Sequence, residues 1–425
     1  MVITMLVVSV VVFTATEIAP GNIVRNIMGT YATPEQERSM ENQLGLDRPV
    51  TIRYISWLFG SYRQVRRLVG KPLRRIQVTQ GTIKNFKQWW AVDDDGSLVQ
   101  WTMREGKLVK LVRQADGSKV EVPDNDAWRV GKDGRRTFWG VDNQNRAVLW
   151  IEGGGGTEYQ LEHSGWMKFK DAPVDYIPLS KGLIQADAGV SLQYKQPVFE
   201  VIGRKIRNSA ILAGMAFLVA MPLGVLLGVI AGLNEGRTAD RAISFGGLVT
   251  AATPDFATGI IMIMILSIKL KLLPATCTYT SDMAIITQPE MLILPVLTAS
   301  LVEIGYVLRI TRATVVEVIS TNYVRTAVLK GLSYRRVVMG HVLRNSMLAP
   351  VTVIMLHVNW LIGGLVVVES VFGFPGLGNF ILQSALYKDV YAIEAGVMVM
   401  IVLAVGSQLI ADFIYCLLNP RIRYE

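Results

Sequence analysis

Six stretches of almost unbroken apolar sequence punctuate this chain: residues 2–20, Ser209–Leu233, Phe245–Leu266, Met291–Leu308, Leu348–Val368 and Ala392–Leu418. A helix rises 1.5 Å per residue, so roughly 20 apolar residues cross the ~30 Å hydrocarbon layer of a bilayer. Each stretch is predicted to be a membrane-spanning helix. The first is near the lower length limit. No basic run precedes it and no small-x-small cleavage site closes it, so a span is expected rather than a signal peptide, with the true start upstream. Pro222 and the glycines of the second stretch fit a span, where neighbouring helices re-satisfy the backbone.

The polar stretches predict other elements. Thr33-Pro-Glu-Gln reads as an N-cap, a proline in the first turn and acidic residues at a helix start. The amphipathic helix that follows is expected on the outer face. Residues 61–181 lose the apolar blocks. They open with a basic segment, Arg63 to Arg75, then alternate β-prone runs with turn signals. The runs include Leu98–Trp101 and Lys107–Val112; the turns are Asp95-Gly96, Glu105-Gly106, Asp116-Gly117, Asp133-Gly134 and Asn143–Asn145. This pattern predicts an antiparallel β-meander.

The meander repeats internally. Trp90-Ala-Val-Asp followed by Trp101 matches Trp139-Gly-Val-Asp followed by Trp150 at the same spacing, and Trp128 to Trp139 has a similar frame. Each unit reads as two strands around a turn with tryptophans paired across the hairpin, as in a propeller-like or roll-like sheet. Trp90, Trp101, Trp139 and Trp150 are either the domain's small core or its contacts to sugars or peptides. Gly153–Gly156 has no Lys-Ser or Lys-Thr after it and reads as a flexible loop rather than a phosphate cradle.

The loop Tyr323–Asn345, YVRTAVLKGLSYRRVVMGHVLRN, stands between the fourth and fifth spans. A helical pattern through Thr326 and Ala327 is broken at Gly331, and a second starts with Ser333 as its N-cap. The spacing Arg325-Thr326-Ala327, three residues, Gly331, nine residues, His341 to Asn345 resembles the cytoplasmic loop of permease subunits in binding-protein-dependent ABC importers, dipeptide/oligopeptide branch. Arg325 departs from the family's usual acidic residue. Glu369-Ser-Val-Phe372-Gly-Phe-Pro375-Gly376-Leu-Gly resembles a second signature of that family. Ala19-Pro-Gly21, Leu44–Val50, the stretch from Leu183 and the terminal Asn419-Pro-Arg-Ile-Arg-Tyr424 resemble it too. The match covers about 1–60 and 183–425 and leaves 61–181 as an insertion.

The resemblance implies the type I ABC importer permease fold: an α-helical polytopic membrane protein of about six transmembrane helices, here with an inserted small antiparallel β domain. Three parts are expected. They are 1–60 with the first span and the outer amphipathic segment, 61–181 as the β-rich insertion, and 182–425 as the permease core. The implied partners are a homologous second permease, two ATPase subunits that bind ATP and Mg, and an extracytoplasmic substrate-binding protein. The implied coupling loop is 323–345, with Tyr323, Val324, Arg325, Thr326, Ala327, Lys330, Gly331, Leu332, Ser333, His341 and Asn345 in the contact.

Composition agrees with membrane plus soluble parts: 51% hydrophobic, 18% charged and mean hydropathy +0.35. The net charge of +9 needs no nucleic acid, because the short loops on one side are rich in Arg and Lys while those on the other hold only Lys269, Lys271 and Lys388. That side is expected to be cytoplasmic. Both termini then lie inside and the insertion outside the cell membrane. Cys277 is expected outside and Cys416 near the membrane, so no bridge is expected between them.

No Walker A, His-Glu-x-x-His or Gly-x-Ser-x-Gly sequence occurs, so no catalytic set, metal site or cofactor is expected in this chain. Polar residues inside spans are costly and mark function. Asp255, Glu303, Asn359 and Glu369 are therefore translocation-path candidates, with Phe372, Pro375 and Gly376 of the irregular segment. Glu303 has two readings: a contact to a substrate amine or partner permease, or a structural pair with Arg309. Asp255 has a second reading as the cap of a kinked helix; His357 reads as packed, and Arg309 and Arg312 as interfacial anchors. The expected function is ATP-driven peptide import by alternating access. Import of oligosaccharides or another small solute, and a membrane-anchored ligand sensor, are the alternatives.

Overall fold

The computed structural model describes residues 2–18, 23–29, 31–69, 74–79, 87–131, 134–162, 165–277 and 288–418. The turn at Asp133, the Ala19-Pro-Gly21 break and the terminal Asn419–Tyr424 match lie outside them. Two compact units divide the chain: residues 1–12, 200–386 and 396–425 form one, and 13–199 with 387–395 form the other.

The first unit is helical. Its helices are α6 Val198–Leu233, α7 Thr238–Ala252, α8 Asp255–Met262, α9 Glu290–Ile319, α10 Asn322–Leu329, α11 Tyr334–Val337, α12 Leu343–Ser346, α13 Leu348–Phe372, α14 Leu377–Tyr387 and α15 Val390–Leu418. Helices α6, α9 and α15 are each long and apolar enough to cross a membrane; three bent pairs raise the number to six. The expected spans were shorter at their ends. Helix α9 runs on to Ile319 rather than stopping at Leu308, and α6 starts at Val198 rather than Ser209. Charged residues mark where lipid ends, and a helix continues past that point because its backbone bonds do not depend on lipid. The third span is broken: α7 and α8 meet at 109°. Pro254, which cannot donate to an α7 carbonyl, stands at the break and Asp255 opens α8.

Close packing in this unit depends on glycines. Gly224, Gly228 and Gly232, one per turn of α6, face Val307, Thr311 and Val315 of α9. A Cβ on Gly228 would lie 2.5 Å from the Thr311 Cβ and 2.7 Å from the Leu308 carbonyl oxygen. Small residues at this spacing let membrane helices approach closely, where dispersion rather than water expulsion holds them. Gly228→Ile is expected to separate α6 from α9 and cost about 3 kcal/mol. A fall in the midpoint of thermal aggregation of the detergent-solubilised chain reads this out; an unchanged midpoint contradicts it.

The second unit combines short helices with strands. Its helices are α2 Ile23–Met28, α3 Pro34–Leu44, α4 Val50–Phe59 and α5 Tyr62–Val69; α1 Val2–Ile18 leads in from the first unit. Helix α3 starts as its sequence predicts: Thr33 and Gln36 close a reciprocal capping box, and Gly45 ends the helix in the left-handed region.

The strands are β1 Arg74–Thr79, β2 Lys87–Val92, β3 Leu98–Arg104, β4 Lys107–Arg113, β5 Lys119–Pro123, β6 Arg129–Val130, β7 Arg136–Val141, β8 Arg146–Ile151, β9 Gly156–Glu162, β10 Gly165–Ala172 and β11 Asp175–Pro178. Strands β1 to β5 form a sequential meander; β11-β8-β7-β6 and β10-β9 form two further antiparallel sheets.

The predicted turns carry the geometry their residues favour. Glu105 and Gly106 both take positive φ between the paired Arg104 and Lys107, the two-residue turn that suits strand twist. Asp95 and Asp116 each accept the backbone N–H and the hydroxyl of the serine two residues on. Those bonds hold both carboxyls below their usual range. Arg146, on β8, is buried between Asp142 and Glu158. Glu158 accepts the Tyr176 hydroxyl, and burial pushes that phenol's pKa upward.

Tryptophan pairing differs from expectation. Trp139 stands opposite Leu149, and Trp150 opposite Phe138. The β2 register sets Trp90 opposite Ile76, and the β3 register sets Trp101 opposite Lys110. The repeat spacing counts residues around the turn, and an odd offset moves each tryptophan off its partner. The rings stack through a third residue instead: Trp101 lies 5.3 Å from Phe138, and Phe138 6.0 Å from Trp150. Gly140 admits them, since a Cβ there would meet all three rings.

Helices α3 to α5 join this sheet unit. Asn42 donates to the Val174 carbonyl, Arg48 pairs with Asp175 at 2.9 Å, and Ser61 donates to the Pro178 carbonyl. Residues 13–60 and 61–181 therefore fold as one compact unit. At the start of α15, Asp389 is buried and accepts from the Ser191 hydroxyl and the Gln193 and Ala392 N–H groups. It pins the segment before α6. Burial raises its carboxyl pKa, and those bonds oppose the rise.

Candidate functional site

The loop 323–345 is a helical hairpin at one end of the bundle. Helix α10 ends at Leu329, Lys330 caps it, and Gly331 turns the chain with φ 75°. A left-handed residue lets the Gly331 N–H reach the Val328 carbonyl at 2.9 Å and close the last turn. Ser333 occupies the N-cap of α11, where its carbonyl accepts from Arg336 and Val337; its hydroxyl makes no capping bond. The Val338–Val342 segment is a wider π-type turn leading to α12.

The hairpin has two faces. Val324, Ala327, Val337 and Val342 are buried with Val315 of α9, and Val229, Leu233 and Leu332 pack against them. The hairpin thus rests on the ends of α6 and α9. The other face exposes Tyr323, Val328, Leu329, Tyr334 and Met339, with Leu329 80% exposed. Exposed Arg325, Thr326, Lys330, Arg335 and Arg336 surround them. His341 is half-buried, and its carbonyl accepts from the exposed Asn345 side chain at 2.7 Å. Apolar side chains grouped on a rigid hairpin and rimmed by cations form a surface suited to a protein partner.

Arg312 makes the base of this hairpin stiff. Its guanidinium holds Asp240 through two bonds, one of 2.8 Å, and Asp240 also accepts from the Gly236 N–H and the Ser244 hydroxyl. Arg312 therefore ties α9 to α7, beyond the anchoring role its position suggested. Asp240 is absent from the sequence-derived candidates, although an acid at the start of a span beside the turn Asn234–Arg237 was a visible cue.

The path candidates divide. Glu303 is fully buried, and His357 Nδ1 lies 2.7 Å from its carboxylate. Its partner is His357 of α13, which packs on α9, and not Arg309, which six residues of helix carry roughly 240° around the axis from Glu303. Tyr306 stacks on the same imidazole at 5.3 Å. Asp255 is half-buried and close enough to Glu303 for their charges to interact. Asn359 lies in α13; its side chain is outside the described residues.

Glu369, Phe372 and Gly376 are buried, with Pro375 half-buried, where α13 breaks into α14. The Glu369 carboxylate accepts from the Ser209 hydroxyl of α6 and the Asn379 N–H. Ser209 accepts from the Leu377 N–H, and the Pro375 carbonyl accepts from Asn208. The N-terminal N–H groups of α14 are thus satisfied by the Ser209 hydroxyl at Leu377 and by the Glu369 carboxylate at Asn379. In the single chain this segment is a packed joint. Of the outer candidates, Trp90 and Trp150 are buried and Trp101 and Trp139 half-buried. Among the described residues no group of three or more His, Cys, Asp or Glu could hold a metal.

A bundle of apolar, broken helices with an exposed basic hairpin at one end defines a multi-pass membrane component. The family model of the binding-protein-dependent transport system inner membrane component matches residues 224–424. That of the N-terminal part of such membrane components matches residues 1–70. The strands, Arg74 to Pro178, fall between the two matches. The oligopeptide transport system permease protein AppB of Bacillus subtilis is 33% identical over 254 residues, 59% of this chain and 80% of the relative. The dipeptide permease DppB of Escherichia coli K12 is 28% identical over 273 residues, with 59% and 80% covered. A solved amino acid ABC transporter aligns with TM-score 0.40 and 14% identity, over 51% of this chain and 94% of that one.

The chain belongs to the family of binding-protein-dependent transport system inner membrane components. It is a permease subunit, a mostly helical multi-pass component of the inner membrane, and permease subunits of this family are not themselves enzymes.

Proposed function

We propose that this chain is one of two homologous permeases in an ATP-driven importer of di- and oligopeptides. The observation that carries this is the hairpin of α10 and α11, whose inner face is fixed to α6 and α9 while Tyr323, Leu329, Tyr334 and Met339 face outward. Its partner is an ATPase subunit, one of two, that binds ATP and Mg. The substrate class follows the oligopeptide and dipeptide permeases that the chain is similar to. An extracytoplasmic binding protein delivers the peptide.

Orientation follows from charge. The hairpin end holds Arg325, Lys330, Arg335 and Arg336, so it faces the cytoplasm together with both termini, and the strands Arg74–Pro178 face outward. The insertion then sits on the binding-protein side. ATP closes the ATPase pair, the hairpin moves with it, and α9, locked to α7 through Arg312–Asp240, carries the motion into the membrane. Burial of Trp90 and Trp150 weakens the oligosaccharide alternative, because a buried indole offers no face to a sugar.

Gentle purification of the tagged chain from native membranes, followed by mass spectrometry, tests the reading. Two ATPases, a sister permease and a binding protein, with a retained peptide, are expected. A chain recovered only with itself overturns it. Within that complex, Leu329→Glu is expected to reduce recovered ATPase at least tenfold, about 1.4 kcal/mol or more, because it places a charge in the apolar contact. Unchanged recovery argues against the hairpin as the dock.

A further inference from the structure

The second unit contains a partly open cleft of about 1170 Å³ lined by residues of its helices and its sheets. Four arginines line it: Arg48, Arg53, Arg75 and Arg146. Three are committed to carboxylates. Arg48 pairs with Asp175, Arg53 with Glu17, and Arg146 with Asp142. Arg75 differs. Among the described residues it has no ion pair, and its Nη1 is buried without a hydrogen-bond partner.

The surroundings of Arg75 show what it is arranged to take. Its guanidinium carbon lies 4.7 Å from the Tyr62 ring centre and 5.3 Å from that of Trp89. Ring contacts of this kind favour the cation without satisfying its N–H groups, which are suited to hold a carboxylate bidentately. Asp187 contributes charge nearby, but its two oxygens already accept the Lys181 and Gly189 N–H groups. Besides Lys181, Asp187 and Lys195, the cavity lining is rich in amides, among them Gln64, Gln77, Gln144 and Gln185. Such side chains both donate and accept, which matches a peptide backbone.

We propose that this cavity is a binding site for a short peptide, with Arg75 holding the C-terminal carboxylate between Tyr62 and Trp89. Its volume exceeds the roughly 300–1,000 Å³ of common ligand pockets and accommodates a few residues. The site belongs to the unit that carries the strands. The ligand class rests on Arg75 and the amide wall, so binding needs neither ATP nor an ATPase partner.

Calorimetric titration of the purified full chain in nanodiscs with trialanine, and with trialanine amide, tests the proposal. The free acid is expected to bind at least tenfold tighter than the amide, and Arg75→Gln is expected to erase that preference while leaving the thermal transition of the chain in place. Equal affinity for acid and amide, no binding of either, or an undiminished preference in Arg75→Gln overturns the site. If Arg75→Gln does not fold, the acid–amide comparison in the unmodified chain decides alone. ATP-driven uptake by the reassembled complex reports on the importer reading separately, so either can fail without the other.

Discussion

Replacing Gly376 by alanine is expected to prevent the membrane unit from folding stably. A Cβ at this position would lie 2.1 Å from one Glu369 carboxylate oxygen and 2.4 Å from the other. Glu369 has no room to retreat, being 1% exposed. Moving it would break its bonds to Ser209 and Asn379 and leave a buried carboxylate and the first N–H groups of α14 unpaired. Leaving buried polar groups without partners, on top of the overlap, costs about 3 kcal/mol or more. Gly373 is the control. Its φ is 62° and nothing lies within 4 Å of a Cβ there, so Gly373→Asn, which tolerates that region, is expected to cost less than about 1 kcal/mol. Yield of monodisperse protein by size-exclusion chromatography separates the two. Similar yields for both variants would show that the Glu369 joint is not tightly packed.

Replacing Gly331 by valine is expected to leave the protein folded and to reduce peptide uptake at least tenfold. A Cβ on Gly331 meets nothing within 4 Å, so no overlap is created. The cost is conformational: φ is 75°, a region that costs an L residue about 1–2 kcal/mol and a β-branched one more. The hairpin relieves the strain by rotating α11 against α10, which moves Leu329 and Tyr334 out of their relative position. Gly331→Asn is expected to recover most of the uptake. Reconstituted proteoliposomes measure uptake and ATP hydrolysis together. Valine and asparagine variants that both transport at the unmodified rate would remove the hairpin's geometry from the mechanism.

The second, fourth and sixth spans were legible because lipid demands apolar runs of a set length, and the hairpin because Gly331 and the basic residues around it interrupt them; the first is a helix of 17 described residues, too short to count among the spans. The turns of the meander were legible too, since Glu105-Gly106 and the two Asp-Gly-Ser sequences carry their own geometry. Less was visible where partners lie far apart in sequence. Nothing local indicates that Glu369 caps α14, that Asp240 holds Arg312, or that Glu303 meets His357. Each pairing depends on how helices cross. The glycine ladder at 224, 228 and 232 was readable as a close-packing face, but not which helix it would face. Arg75 and Trp89 went unnoticed as a site for a related reason: one looked like part of a basic segment, the other like a neighbour of the repeat tryptophan Trp90.

The most direct test of the account is photocrosslinking from position 329 in native membranes. A photoreactive side chain in place of Leu329 is expected to form a crosslink to an ATPase subunit, one that changes in yield between the ATP-bound and ATP-free states. No crosslink to an ATPase in either state, with the variant still transporting peptide, would contradict the claim that this hairpin couples ATP hydrolysis to transport.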